Sequence, residues 1–157
     1  MLLRPARLLA LVWPAALILG ALGFEHFAHL VPCEMCLWQR WPLYGAILLA
    51  LAAFGTKGTR ASQPLTVLSG FFTLASGIIA VKHVGVEHHW WAGPEKCTSA
   101  FHASGADFLK QIMAAPIVQC DVPQWTLFGV SLAGFNALFS LAGGIAVILL
   151  ATRRSVR

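Results

Sequence analysis

The chain has 157 residues, of which 58% are hydrophobic and 11% charged, with a mean hydropathy of +0.74. A soluble domain of that length has too little interior for so much apolar surface, so the composition argues for a membrane as solvent and against an ordinary water-soluble enzyme. The formal charge of +5 does not mark a nucleic-acid partner, because the basic residues sit in small clusters beside apolar runs and not along a polar face.

A spanning helix needs about 20 mostly apolar residues. Four stretches qualify, with approximate spans 8–28, 37–54, 65–85 and 125–151. The fold class expected is therefore an all-α membrane protein, one four-transmembrane-helix bundle filling residues 1–157. Glycines recur within the spans (Gly45, Gly70, Gly77, Gly143 and Gly144 among them), which suits close helix packing in lipid. Basic residues ahead of the first apolar run also open secretory signals. Here the run is long for a signal and no convincing small-x-small site precedes Glu25, so the segment is expected to remain as a span.

The loops alternate in charge. Arg4 and Arg7 precede the first span, Lys57 and Arg60 lie in the loop 55–63, and Arg153, Arg154 and Arg157 follow the fourth. These seven of the eleven Lys and Arg residues mark one side, which should be cytoplasmic and hold both termini. The opposite side carries loops 25–36 and 86–124, with all six acidic residues and all six histidines there or at its boundary. Within the longer loop, "SGADFLKQIMAA" places Phe108, Leu109, Ile112 and Met113 on one helical face, and Pro116 follows. That pattern predicts a short amphipathic helix lying on the membrane surface. Gly93-Pro94 and Gly105 are turn signals around it, and Trp90, Trp91 and Trp125 fit an interfacial belt.

The four cysteines, Cys33, Cys36, Cys97 and Cys120, all fall on the outer side. If the host is a bacterium that side is the periplasm, where disulfides persist. Three readings compete. Structural disulfides suit Cys97 and Cys120, which would close a loop of about two dozen residues and add roughly 3 kcal/mol in the chain-entropy view. They suit Cys33 and Cys36 poorly, since a C-x-x-C bond constrains almost no chain, whereas that spacing is common in redox-active pairs. A metal site is the third reading: Cys97 and Cys120 are too far apart in sequence to supply the second half of a zinc pattern, but His88 and His89 offer further ligands.

The residues after Cys36 favour redox chemistry. Pro32 and the apolar run after Cys36 put that cysteine near a helix N-terminus, where a thiolate is stabilised. Arg40 follows one turn later on the same face. It reads either as an interfacial cation among Trp38 and Trp41 or as a hydrogen-bond donor to a membrane-dissolved electron acceptor such as a quinone carbonyl.

"PCEMCLWQR" (32–40), the separated cysteine pair of the long loop and the four spans together resemble the DsbB family of bacterial inner-membrane proteins, and the resemblance covers essentially the whole chain. "GVEHHWWAGPEKC" and "SLAGFN" resemble the branch found in some proteobacteria. The resemblance implies a quinone-dependent protein-dithiol oxidoreductase of the inner membrane, with its cysteine loops facing the periplasm. Its soluble partner would be a DsbA-like thioredoxin-fold oxidant. The reduced partner would attack Cys97, Cys120 would leave and then attack Cys33, and Cys36 would pass electrons to ubiquinone or menaquinone held by Arg40 and His88. His89 is the neighbouring candidate for the last role. No metal is expected. Two other classes stand beside this one. The first is a non-catalytic membrane scaffold with two structural disulfides. The second is a quinone-linked enzyme of the vitamin K epoxide reductase type, whose active pair lies in the last helix and not, as here, before the second.

Overall fold

A computed structural model describes residues 3–94 and 120–153. Cys97 and the segment expected to form the amphipathic surface helix lie outside the described residues. Among the described residues there are four long helices: α1 (Leu3–Phe27), α2 (Glu34–Gly55), α3 (Ser62–Glu87) and α4 (Leu132–Thr152). Between α3 and α4 a short hairpin pairs β1 (Thr126–Leu127) with β2 (Val130–Ser131).

Three of the helices, α1, α3 and α4, are long and apolar enough to cross a membrane. The first turns of α2 carry Trp38, Gln39, Arg40 and Trp41, which lower its apolarity. Its 22 residues still extend about 33 Å at 1.5 Å per residue. The helices run up and down. Arg7 near the start of α1 donates to Ser62 at the start of α3, Ser62 donates to the Ala53 carbonyl near the end of α2, and Gln63 donates to the Ala151 carbonyl near the end of α4. Both described chain ends therefore meet at one end of the bundle.

The bundle has an inverted distribution of polarity. Leu19, Leu48, Ile78 and Leu138 point outward and are all more than 60% exposed, while the buried face of α3 carries Ser62, Thr66, Ser69, Thr73 and Ser76. These five alternate at spacings of four and three, so they form one stripe. Each hydroxyl has a carbonyl to donate to: Ser69 reaches Ala46 at 2.8 Å and Ser76 reaches Gln39 at 2.9 Å, both on α2, and Thr66 and Thr73 bond back to Ser62 and Ser69. Such a surface suits lipid, which has no partner for a polar group and no penalty for an exposed leucine.

Small residues let the helices approach. A Cβ on Gly144 of α4 would fall 2.7 Å from Leu74 Cγ and 2.9 Å from the Gly70 carbonyl oxygen of α3. Across the bundle, the Trp13 indole of α1 donates to the Phe139 carbonyl of α4 at 2.9 Å.

The hairpin occupies the start of the fourth predicted span. Phe128 and Gly129 both have positive φ, 52° and 79°, the conformation of a two-residue I′ turn. Ser131 then caps α4, accepting from the Gly134 N–H at 3.1 Å. The helix thus begins at Leu132, not at 125, because an apolar run does not reveal a tight turn that uses only one glycine.

Gly144→Ala is expected to destabilise the bundle by about 1–3 kcal/mol, since backbone at Gly70 cannot yield to a methyl group. Gly23→Ala, where nothing lies within 4 Å, should be neutral or stabilising by up to ~1 kcal/mol. Unfolding of both variants in detergent, compared with wild type, checks the pair.

Candidate functional site

The cysteines gather at the end of the bundle opposite Arg7. Pro32 cannot donate a backbone hydrogen bond and holds the chain extended ahead of α2. Cys33 follows as the N-cap, with φ −74° and ψ 169°, and its sulfur accepts from the Cys36 N–H at 3.2 Å. That places Cys36 in the first turn, ahead of the predicted span 37–54, as the spacing of Pro32 and the apolar run implied. Both are free thiols, and their sulfurs lie 2.7 Å apart. Closing a bond of about 2.05 Å between them needs a movement of less than 1 Å.

The two thiols differ in character. Cys36 is held below the ordinary thiol range, first by the hydrogen bond from the Cys33 side chain, then by the Cys33 backbone and the positive Arg40; burial and Glu87 oppose this. Cys33 is pushed up by the same hydrogen bond seen from its donor's side, and by burial. Of the two, Cys36 ionises more readily and Cys33 holds its proton more tightly.

Cys120 is brought to this pair from the other side of the long loop. It is 2% exposed and disulfide-bonded. Gln124 donates to the Val31 carbonyl at 2.7 Å, which pins the segment after Cys120 to the loop before Cys33. Ligand-capable atoms of Cys33, His83 and Cys120 all lie within 4.8 Å of one another. Two cysteines separated by most of the chain thus share one buried cluster, with Met35 and Val86 packed around them.

Beside the cluster is a cavity of about 390 Å³ between α1, α2 and α4. Cys33, Cys36, Arg40 and His83 reach it at one end, and Ala16, Leu17, Phe135 and Phe139 form apolar walls further along. Arg40, 13% exposed, pairs with Glu25 of α1 at 2.7 Å, so its charge enters the site already balanced by a carboxylate.

The predicted site residues are distributed unevenly. Cys33, Cys36, Cys120 and Arg40 come together. Cys97 lies outside the described residues. His88 is the residue after α3, stacked on Trp90 with ring centroids 5.2 Å apart, and is not among the residues lining the cavity. His89 faces Asp121 at 3.9 Å and is 74% exposed. The imidazole that does reach the cavity is His83, one turn deeper in α3, 3% exposed and 3.6 Å from the Cys33 sulfur. Sequence reasoning set Gln39, a neighbouring hydrogen-bond donor, aside in favour of Arg40, and passed over His83, Glu25 and Asn136. The available signal was the period of α3: His83 extends the stripe of Ser69, Thr73 and Ser76 by seven residues, so it had to face inward.

The sequence profile described as "Disulfide bond formation protein DsbB" matches residues 3–150. Among individual relatives, "Disulfide bond formation protein B" of Polaromonas sp. (strain JS666 / ATCC BAA-500) is 30% identical, covering 95% of this chain and 92% of its own length. The protein of that name from Verminephrobacter eiseniae (strain EF01-2) is 32% identical over 98% of this chain and 89% of its own. That from Actinobacillus pleuropneumoniae serotype 5b (strain L20) is 28% identical over 94% and 85%. No solved structure matches the chain. The match extends from the first helix through the last and takes in both cysteine-bearing segments, and the chain belongs to the DsbB family.

Proposed function

We propose that this chain is a disulfide-forming oxidoreductase that takes electrons from a soluble dithiol protein and delivers them to a membrane quinone. The observation that carries this reading is the juxtaposition of three things: a free thiol pair, a disulfide-bonded cysteine from a distant loop, and a largely apolar cavity ending on an arginine. The names of the relatives, which specify disulfide bond formation, agree with it.

The chemistry proposed is a relay of thiol–disulfide exchange. A reduced DsbA-like, thioredoxin-fold partner attacks Cys97 and releases Cys120 as a thiolate. Cys120 lies within reach of Cys33, so it can attack a Cys33–Cys36 bond at Cys33 and release Cys36. Arg40 and the N-terminal end of α2 favour negative charge on Cys36 as it leaves. Two thiols becoming one disulfide release two electrons and two protons, and a quinone accepts both pairs as it becomes a quinol. Arg40 is the cationic donor that reaches the cavity where its carbonyl would lie, and the apolar walls suit a ring and its tail.

In this reading the chain is a multi-pass protein of a bacterial inner membrane. Arg4, Lys57, Arg60 and Arg153 belong to the cytoplasmic end. The cysteine end faces the periplasm, where a soluble partner and a lasting disulfide are both available.

Purified protein with a reduced DsbA-type partner and a soluble quinone should consume the quinone, followed by its absorbance. Cys36→Ser and Cys97→Ser should each reduce turnover by at least about a thousandfold, as expected when an obligatory nucleophile is lost. Thiols that never react, and no quinone loss with either ubiquinone or menaquinone analogues, would favour a scaffold with structural disulfides. The acidity of Cys36 gives a separate prediction. Its alkylation should be half-maximal below the pH of about 8.5 typical of a free thiol. Arg40→Met removes a charge that favours the thiolate, so it should move that midpoint upward. A midpoint unchanged in Arg40→Met would remove Arg40 from the account of Cys36.

A further inference from the structure

Gln39 is 5% exposed and uses every polar atom of its side chain. Its Nε2 donates to the Met35 carbonyl at 3.0 Å and lies 2.8 Å from His83 Nδ1. Its Oε1 accepts from Asn136 Nδ2 at 2.7 Å. The amide has only one workable orientation. Turned over, its oxygen would face the Met35 carbonyl oxygen, which has no proton to give. Asn136 is fixed in the same way. The Ser76 hydroxyl spends its proton on the Gln39 backbone carbonyl, so at 3.3 Å it can only accept from Asn136 Nδ2, and Ser140 donates to Asn136 Oδ1 at 2.8 Å.

The consequence falls on His83. An amide N–H pointed at Nδ1 requires a lone pair there, so the single ring proton of the neutral imidazole sits on Nε2. Nε2 is the atom 3.6 Å from the Cys33 sulfur, and the Cys120 backbone is also within hydrogen-bonding reach of this ring. The same three residues, Cys33, His83 and Cys120, carry the donor types and the proximity of a partial zinc site. A metal would need the Nε2 lone pair, and in ligating histidines the far nitrogen ordinarily donates to an acceptor. Here the far nitrogen meets a donor.

We propose that Gln39, held by the Met35 carbonyl and Asn136, is a positioning residue that fixes His83 as its Nε2–H tautomer, so that the imidazole gives a hydrogen bond to the Cys33 sulfur and is withheld from any metal the reduced cysteines would gather. An N–H aimed at that sulfur favours negative charge on it whenever a disulfide bond to Cys33 is broken. A thiol cluster that must pass through reduced states beside a histidine would otherwise be a trap for zinc. The use of the hydrogen bond in catalysis rests on the thiol-oxidase reading, but the tautomer itself is measured without turnover.

The test is nitrogen-15 spectroscopy of histidine-labelled, full-length protein in detergent, with the His83 signals identified by their absence in His83→Ala. Wild type should show Nε2 protonated and Nδ1 bare. Gln39→Glu replaces the donor facing Nδ1 with an acceptor and should reverse the pattern. In the fully reduced state it should also bind Co²⁺, seen by thiolate-to-cobalt absorption, at least about tenfold more tightly than wild type, the scale of outer-shell effects on metal sites. Adding His83→Ala to Gln39→Glu should abolish that gain. A wild-type ring protonated at Nδ1 overturns the proposal, as does reduced wild type that binds Co²⁺ as tightly as Gln39→Glu. Should Gln39→Glu fail to fold, the wild-type spectrum alone decides.

Discussion

A polar group buried in a lipid-facing bundle must find its partner inside the protein, and that constraint organises this molecule more than apolar packing does. The Gln39 carboxamide shows it most fully. One side chain ties α2 to its own Met35 carbonyl, to His83 on α3 and to Asn136 on α4. Moving any of these helices by one residue would leave a donor or acceptor unpaired, at a cost of about 1–3 kcal/mol per group. The serine and threonine stripe of α3 extends the same logic along the bundle. Specificity of helix register comes from these bonds, because leucines facing lipid carry no register information.

The cysteine cluster depends on that register. Cys33 belongs to α2, His83 to α3, and Cys120 to the segment that leads into α4. Their atoms lie within 4.8 Å of one another only because α2 and α3 are locked by Gln39 and Ser76 and because Gln124 holds the incoming segment on Val31. Disulfide exchange requires three sulfurs nearly in line, so helix packing far from solvent sets whether Cys120 and Cys33 stand where they could exchange.

Much of this was legible in the sequence and some was not, for definite reasons. Apolar runs announce helices through composition, so α1 to α4 were visible. Pro32 and the C-x-x-C spacing announce the start of α2 and the thiol pair at it, because both signals are local. The start of α4 was misplaced because Trp125–Ser131 is apolar enough to read as helix, while the turn at Phe128-Gly129 depends on two positive φ values that only Gly129 advertises. His83 was passed over for His88 because the Glu87-His88 neighbourhood attracts attention, whereas a single histidine between Lys82 and Val84 has no local signature. Its inward direction follows only when the period of small polar residues in α3 is carried forward. Asn136 and Glu25 had no such clue, since the partners that tie them to the site, Gln39 and Arg40, are more than a dozen residues away in sequence.

The charges of the site explain why an amide suits position 39. Arg40 and Glu25 already cancel, and Cys36 adds one negative charge when its thiol ionises. Glu87, across α3, disfavours that charge. A carboxylate at position 39 would add a second opposing charge within the first two turns of α2. Gln39 has the same shape, supplies hydrogen bonds in both directions and adds none. An ionised Cys36 would then rest on neutral groups, the thiol and backbone of Cys33, with Arg40 contributing attraction that Glu25 moderates. Such a balance keeps Cys36 reactive without leaving a large uncompensated charge beside an apolar cavity, which a membrane would penalise in every redox state.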